Sequence, residues 1–343
     1  MTKEYDILSI GNAIVDILSH VDEEFLDQHS LQKGSMLLVD ETTSRALLAT
    51  LSDTLQASGG SAANTAACIA SLGASSAYIG KVAEDALGQA FREDMGRAGV
   101  AFSGGELYDA IPTANCLAVV TPDGERTMST FLGACRELSK TDISADLVKA
   151  SRAVFLEGYL LDSEPSARAL FEAARLACAN GCEVAVTLSD ANCVRRNLHA
   201  FKTLIMSGFV DIVIANEKEI AAFFEDEHPD ITVHEAIELC RNLPFTTVVT
   251  MGPLGAAAIT DGKVERASAF AVDAVIDLVG AGDSFAAGYL VGHVRGLPPL
   301  ESLTLGAACA AEIITTNGAR PTRSLADLPA VSAILSTDAA AAI

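Results

Sequence analysis

Apolar positions along this chain follow two alternating rhythms. Short, nearly continuous apolar runs at residues 6–10, 77–79, 153–156, 183–188, 210–215 and 246–250 read as strands buried on both faces. Longer stretches at 62–72, 165–179, 216–224 and 233–241 have the spacing of helices and stand between most of those runs. This alternation predicts an α/β fold: a doubly wound, mainly parallel sheet with helices on both faces.

Two regions break the alternation. Residues 12–21 and 35–39 read as strands with no helix between them able to make a crossover. Residues 115–121 and 126–132 flank Pro122-Asp123-Gly124-Glu125, a turn of hairpin type. These segments are expected to pair as a small separate sheet inserted at two points. The resulting division is an α/β core of residues 1–10, 41–110 and 137–343, and a β-sheet lid of 11–40 and 111–136. Ligands of open α/β sheets bind off the carboxyl ends of the strands, where such a sheet can act as a lid.

Composition narrows the function. With 343 residues, half of them hydrophobic, the chain can bury a sizeable core. A formal charge of −22 opposes phosphate backbones and anionic lipid, so neither nucleic acid nor a membrane is an expected partner. An anionic substrate needs a local positive site built against that field. The eight cysteines are scattered without a CxxC pair, and the opening Met1-Thr2-Lys3-Glu4 is not expected to be a secretory leader. Both features predict free thiols and the reducing cytoplasm. Monomer and homodimer both stay open.

Several phosphate and hydrolase patterns are absent, among them GxxxxGK[ST], an early GxGxxG, HExxH and GxSxG. The densest chemical signal is Asp277-Leu278-Val279-Gly280-Ala281-Gly282-Asp283, between a strand-like stretch and an apolar helix. Small residues at a helix start let several backbone N–H groups converge on one spot, and the helix dipole adds positive potential. Asp283 sets a carboxylate beside that anion hole. A plain helix cap would not require three small residues before it. The helix N-terminus is also expected to keep the Asp283 pKa low. A second glycine pair, Gly59-Gly60, runs into Ser61-Ala62-Ala63-Asn64, where close backbone approach meets a side-chain donor and acceptor.

These two motifs together resemble the signature pair of the PfkB (ribokinase-like) carbohydrate and nucleoside kinases, which share a DTxGAGD element. The resemblance spans nearly the whole chain and implies the ribokinase-like fold, with its small sheet as a lid. Within the family, the Gly11-Asn12-Ala13-Ile14-Val15-Asp16-Ile17 opening is similar to that of the adenosine kinases, as are Phe25-Leu26-Asp27 and Leu132-Gly133-Ala134. Leu278 stands where the family usually has Thr, and Ala83 where it has Gly; neither change removes a reacting group.

The resemblance implies roles residue by residue. Asn12 and Asp16, read as four apart on one strand face, would grip substrate hydroxyls, with Gly59, Gly60, Ser61 and Asn64 completing that site. Cys116, Met128, Leu132 and Tyr159 would line a base pocket. Asn216 and Glu219 would orient Mg²⁺ largely through water, and Thr250, Gly252, Gly255, Gly282 and Asn317 would hold ATP. Asp283 would act as base, the Gly280–Gly282 amides (Ala281 included) would take up charge, and Arg126 would bring a cation from the lid. The implied activity is ATP-dependent phosphorylation of a nucleoside, adenosine to AMP. The alternatives are a ribose- or fructose-type sugar kinase and a catalytically idle binding protein on the same fold.

Overall fold

Strand β1 (Tyr5–Ile10) sends Ile7 into one apolar core and Leu8 and Ile10 into another, because successive side chains on a strand point to opposite faces. The computed structural model describes residues 3–104 and 111–341. After β1 come β2 (Ile14–His20), α1 (Glu23–Gln28), β3 (Met36–Leu38), α2 (Glu41–Thr50) and β4 (Leu55–Gly59). Next are α3 (Ser61–Ser71), β5 (Ser76–Gly80), α4 (Ala86–Arg97) and β6 (Val100–Gly104), then the hairpin β7 (Ala114–Val120) and β8 (Arg126–Phe131). The middle of the chain runs α5 (Ala145–Lys149), β9 (Ser151–Glu157), α6 (Glu164–Ala179), β10 (Glu183–Thr187), α7 (Ala191–Ile205) and β11 (Ile212–Asn216). It continues with α8 (Glu217–Phe224), α9 (Val233–Cys240), β12 (Thr246–Thr250), β13 (Ala256–Thr260) and β14 (Lys263–Ala267). Helices α10 (Ala281–Val294), α11 (Pro299–Ile313) and α12 (Pro329–Ala341) complete it.

The large sheet has nine strands in the order β14-β13-β12-β11-β10-β9-β1-β5-β6. Every neighbouring pair from β12 to β6 is parallel, and β13 and β14 add antiparallel at one edge. All six strands expected from apolar runs are present. Strands β6, β13 and β14 lie outside that pattern; β14, at the edge, carries three charged residues among its five, as edge strands do. Strand order reverses at β1, with β5 on one side and β9 on the other. The crevice off the ends of β1 and β9 is therefore the switch point where an open α/β sheet binds ligands.

The small sheet has five strands in the order β3-β8-β7-β2-β4. β7 and β8 pair antiparallel across the expected turn, with Thr121 N–H donating to Glu125 O at 3.0 Å. β4, within the segment 41–110 expected in the core, pairs antiparallel with β2 and so belongs to this sheet. Its Leu55-Gln56-Ala57-Ser58 run is half polar, which hid it from an apolar-run reading. The end of that core segment, residues 105–110, lies outside the described residues. A helix does stand between residues 21 and 35: α1, capped by Asp22, whose carboxylate accepts from Phe25 N–H, and anchored by buried Leu26. With six residues it is too short to register as a periodic pattern. No helix among the described residues is long and apolar enough to cross a membrane.

Candidate active site

Asn12 lies before β2, on the link from β1, and not on the strand face assigned to it. Its amide is drawn to the switch point, where Nδ2 donates to Glu157 Oε1 at 3.0 Å. Glu157 ends β9 and is 1% exposed. Its second oxygen accepts from Ala62 N–H at 2.9 Å, which ties the start of α3 to both central strands. Burial pushes the Glu157 carboxyl up to about 7, against these hydrogen bonds. Gly11 must be glycine, since a Cβ there would overlap the Glu157 carboxylate.

Helix α3 is buried from Ala62 to Ile69 and packs against α10. Gly60 starts it with φ +93°, and a Cβ there would collide with the Asn12 carbonyl. Ser61 and Asn64, one helical turn apart, both reach Asp283 at the start of α10. Ser61 Oγ donates to Asp283 Oδ1 at 2.7 Å and Asn64 Nδ2 to Oδ2 at 3.1 Å. Both glycine motifs thus meet at one carboxylate. The expected low pKa of Asp283 is corrected by the structure: burial raises it, and the Ser61 and Asn64 hydrogen bonds and Arg320 offset this only in part. The helix dipole acts on a carboxylate that has lost much of its water, and desolvation wins.

The loop before α10 is fixed by Asp277, which is 9% exposed. Its Oδ1 accepts from Val279 N–H at 3.1 Å, and its Oδ2 from Gly318 N–H at 2.9 Å. Arg126 from β8 bridges to the same Oδ2 at 2.8 Å. The structure therefore brings Arg126 to the glycine loop, where Asp277 holds it. Gly280 has φ +79°, and a Cβ there would lie 2.6 Å from the Ala319 Cα. Gly282 is exposed, and a Cβ there would meet nothing within 4 Å.

Two cavities flank this centre. One, about 310 Å³, is lined by Asn12, Asp16, Gly60, Ser61, Asn64, Cys116, Met128, Leu132 and Tyr159, with Met36, Leu38, Arg136, Glu157 and Asp162 among the rest. Gly59 stands behind it, since a Cβ there would strike the Asp16 carboxylate. Burial raises the Asp16 carboxyl to about 6 although Arg320 and Arg126 pull it down, and raises the neighbouring Cys116 thiol to about 12. Tyr159 is likewise pushed up by burial. The second cavity, about 670 Å³, is lined by Thr250, Gly252, Gly255, Phe270, Leu278, Ala281, Gly282 and Phe285, among other apolar residues. Asn317 is exposed and outside this lining, although the next amide, Gly318, holds Asp277.

Asn216 and Glu219 line neither cavity. They form a reciprocal helix cap: Asn216 N–H donates to Glu219 Oε2 at 3.0 Å, Asn216 Nδ2 to Oε1 at 2.5 Å, and Asn216 Oδ1 accepts from Glu219 N–H at 2.9 Å. Glu219 is 6% exposed, and burial raises its carboxyl to about 7. Among the described residues no group of three or more His, Cys, Asp or Glu could hold a metal.

Sequence reasoning missed Glu157 and Arg320. Glu157 ends an apolar strand run, and a charge at a strand's carboxyl end was the available signal. Arg320 sits three residues after Asn317, with no pattern pointing to it.

Comparison with known proteins fits this geometry. The family model of the pfkB family carbohydrate kinases matches residues 36–325. An adenosine kinase from Sinorhizobium meliloti is 40% identical, with a TM-score of 0.86 over 97% of this chain and 99% of that one. A structure described as a probable sugar kinase from Rhizobium etli is 38% identical, with a TM-score of 0.88 over 97% and 100%. A probable chloroplastic fructokinase from Arabidopsis thaliana is 30% identical over 304 residues, 83% of this chain and 77% of that protein. The chain belongs to the PfkB family and has its ribokinase-like fold. It is a kinase, and membership of that family implies ATP as phosphoryl donor.

Proposed function

We propose that this kinase transfers the γ-phosphoryl group of ATP to the 5′-hydroxyl of a nucleoside, adenosine first. The observation that carries this reading is the composition of the smaller cavity. Asn12, Asp16, Ser61 and Asn64 offer directed donors and acceptors suited to a ribose, while Met36, Leu38, Met128 and Leu132 supply apolar cover suited to a flat base. The similarity to the Sinorhizobium adenosine kinase supports it. A simple sugar as acceptor is the second reading. A cavity of about 310 Å³ also suits a bare sugar, and the Rhizobium and Arabidopsis relatives point that way.

In this reading Asp283 takes the proton of the attacking hydroxyl, and its raised pKa makes it a stronger base than an exposed aspartate. The start of α10 meets the moving phosphoryl group with backbone N–H groups and the positive end of the helix dipole. The small sheet keeps water from the reacting atoms. Asn216 and Glu219 are oxygen donors of the kind Mg²⁺ prefers, but each Glu219 oxygen is already engaged by Asn216. They fit a hydrated ion held through its water. Bound there, Mg²⁺ would neutralise charge on the phosphates.

The test is an ADP-release assay with adenosine, inosine, guanosine, cytidine, ribose and fructose at matched concentrations. Adenosine should exceed the free sugars in kcat/KM by on the order of 10³-fold, the contribution of burying a flat base. Asp16→Ala should erase most discrimination between ribo and deoxyribo substrates while sparing the preference for a base. A free sugar turned over faster than every nucleoside would sink the nucleoside reading and leave the kinase standing.

A further inference from the structure

We propose that Arg320 is a positioning residue for phosphoryl transfer: from the loop after α11 it fixes the orientation of the Asn64 amide, so that Asn64 can only donate to Asp283. This rests on the reading of Asp283 as the base.

The geometry is a chain of three groups. Arg320 Nε donates to Asn64 Oδ1 at 3.1 Å, and Asn64 Nδ2 donates to Asp283 Oδ2 at 3.1 Å. An asparagine amide has two ends of nearly equal shape, one accepting and one donating, so its neighbours decide which way it faces. Guanidinium can only donate and an ionised carboxylate can only accept. Between these two, one orientation satisfies both ends and the flipped one satisfies neither. Asn64 is 4% exposed, so no bulk solvent is at hand to repair the flipped state.

Arg320 is itself held in place. Its Nη1 donates to Asp94 Oδ2 of α4 at 2.9 Å, and Nη2 lies 3.4 Å from the Met95 sulfur. Its side chain is 17% exposed. The same loop carries Gly318, whose N–H holds Asp277, and Ala319, against which Gly280 closes. Residues 318–320 therefore bear on the glycine loop and on the base at once.

Charge supports the assignment. Among the described residues, Asp283 hydrogen-bonds Ser61 and Asn64 of α3 and is coupled by charge to Cys68 of α3, Asp16 of β2, Glu157 of β9, Glu219 of α8 and Arg320. Arg320 is the only cation among them. It pulls down Asp283, which burial raises, and does the same for Asp16.

Steady-state kinetics of Arg320→Met, Arg320→Lys and Arg320→Gln between pH 5.5 and 9, with adenosine as acceptor and with fructose in parallel, test this. Arg320→Met should lower kcat by about 10- to 100-fold, leave the KM for ATP within about twofold, and move the acid limb of kcat/KM up by about one pH unit. Lysine also can only donate, so Arg320→Lys should recover much of the loss. Glutamine can face either way and should not. Measured above the acid limb, where the charge of Asp283 no longer changes, the double variant Asn64→Ala/Arg320→Met should be no slower than Asn64→Ala alone. Additive losses, an acid limb that stays in place, or equal rates for the Lys and Gln variants would overturn the proposal; the Lys–Gln contrast still decides if Arg320→Met does not fold. Asp283→Asn separates the two readings. If it is inactive while the Arg320 variants match wild type, only the Arg320 role fails. If it stays active, the base assignment fails first.

Discussion

Two helices in this molecule begin in nearly the same way and differ in what meets their first N–H groups. Helices α3 and α10 each start after a glycine with positive φ, Gly60 at +93° and Gly280 at +79°, and neither has a side-chain cap. Such a helix start presents unpaired N–H groups and the positive end of the dipole. At α3 one of these groups, at the second helical residue, is filled from inside: the Glu157 carboxylate accepts from Ala62 N–H. At α10 the N–H groups of Gly282 and Asp283 have no hydrogen-bond partner among the described residues. A glycine motif before a helix therefore does not by itself say whether the anion it holds is resident or in transit. The partner atom says so. At α3 the anion is part of the fold; at α10 Gly282 and Asp283 N–H have no partner among the described residues, and in the proposed function they meet the phosphoryl group.

The largest way to break that contrast is Asp283→Asn, which keeps the shape beside the open helix start and removes the carboxylate proposed as the base. It should lower kcat on the order of 10²- to 10⁴-fold with ATP binding nearly intact, read by single-turnover kinetics and nucleotide titration. Retention of more than about a tenth of the wild-type kcat would remove Asp283 from the chemistry. Next comes Gly280→Ala. The new Cβ would press on Ala319 in a backbone conformation that alanine resists. The open helix start should shift, and kcat should fall about 10- to 100-fold, together with a measurable loss in Tm.

Why one helix start was legible in the sequence and the other only in part follows from the same contrast. The Gly280-Ala281-Gly282-Asp283 run carries its meaning locally, because small residues and the acid are adjacent. The Gly59-Gly60 motif takes its meaning from Glu157, about 100 residues away, and no spacing rule links them. The central strands were legible because burial on both faces forces continuous apolar runs. Strand β4 was not, since it is an edge strand whose first three residues, Leu55, Gln56 and Ala57, are all exposed, so no apolar run or alternation marks it. Asn216 and Glu219 were found as a pair, but the sequence could not show that they bond to each other first. The pKa of Asp283 was misread because a sequence shows the helix dipole and hides the desolvation.

A smaller effect is expected from Glu219→Gln. Glutamine can still serve in the reciprocal cap with Asn216, so the fold should persist. The Mg²⁺ needed for half-maximal rate should rise about tenfold, and added Mg²⁺ should restore most of kcat. An unchanged Mg²⁺ titration would mean that this pair does no more than start α8.

The smallest effect concerns the resident anion itself. Glu157 titrates near 7 in the folded protein, against 4.5 for an ordinary glutamate. Between those two values the folded state binds more protons than the unfolded state, so stability falls as pH rises. The contribution is fully present below about 4.5 and lost above about 7. Asp16, Asp283 and Glu219 are raised as well and act in the same direction, so the wild-type curve sums several groups. Glu157→Gln removes one of them, and the difference between wild type and variant isolates its share. That share is at most about 1.4 kcal/mol per pH unit, the limit for a single proton. Urea unfolding at pH 5, 6, 7 and 8 should therefore show a shallower decline for the variant. Parallel curves would mean that Glu157 keeps the same charge throughout this range, and that α3 is held by an anion as permanent as its place in the fold.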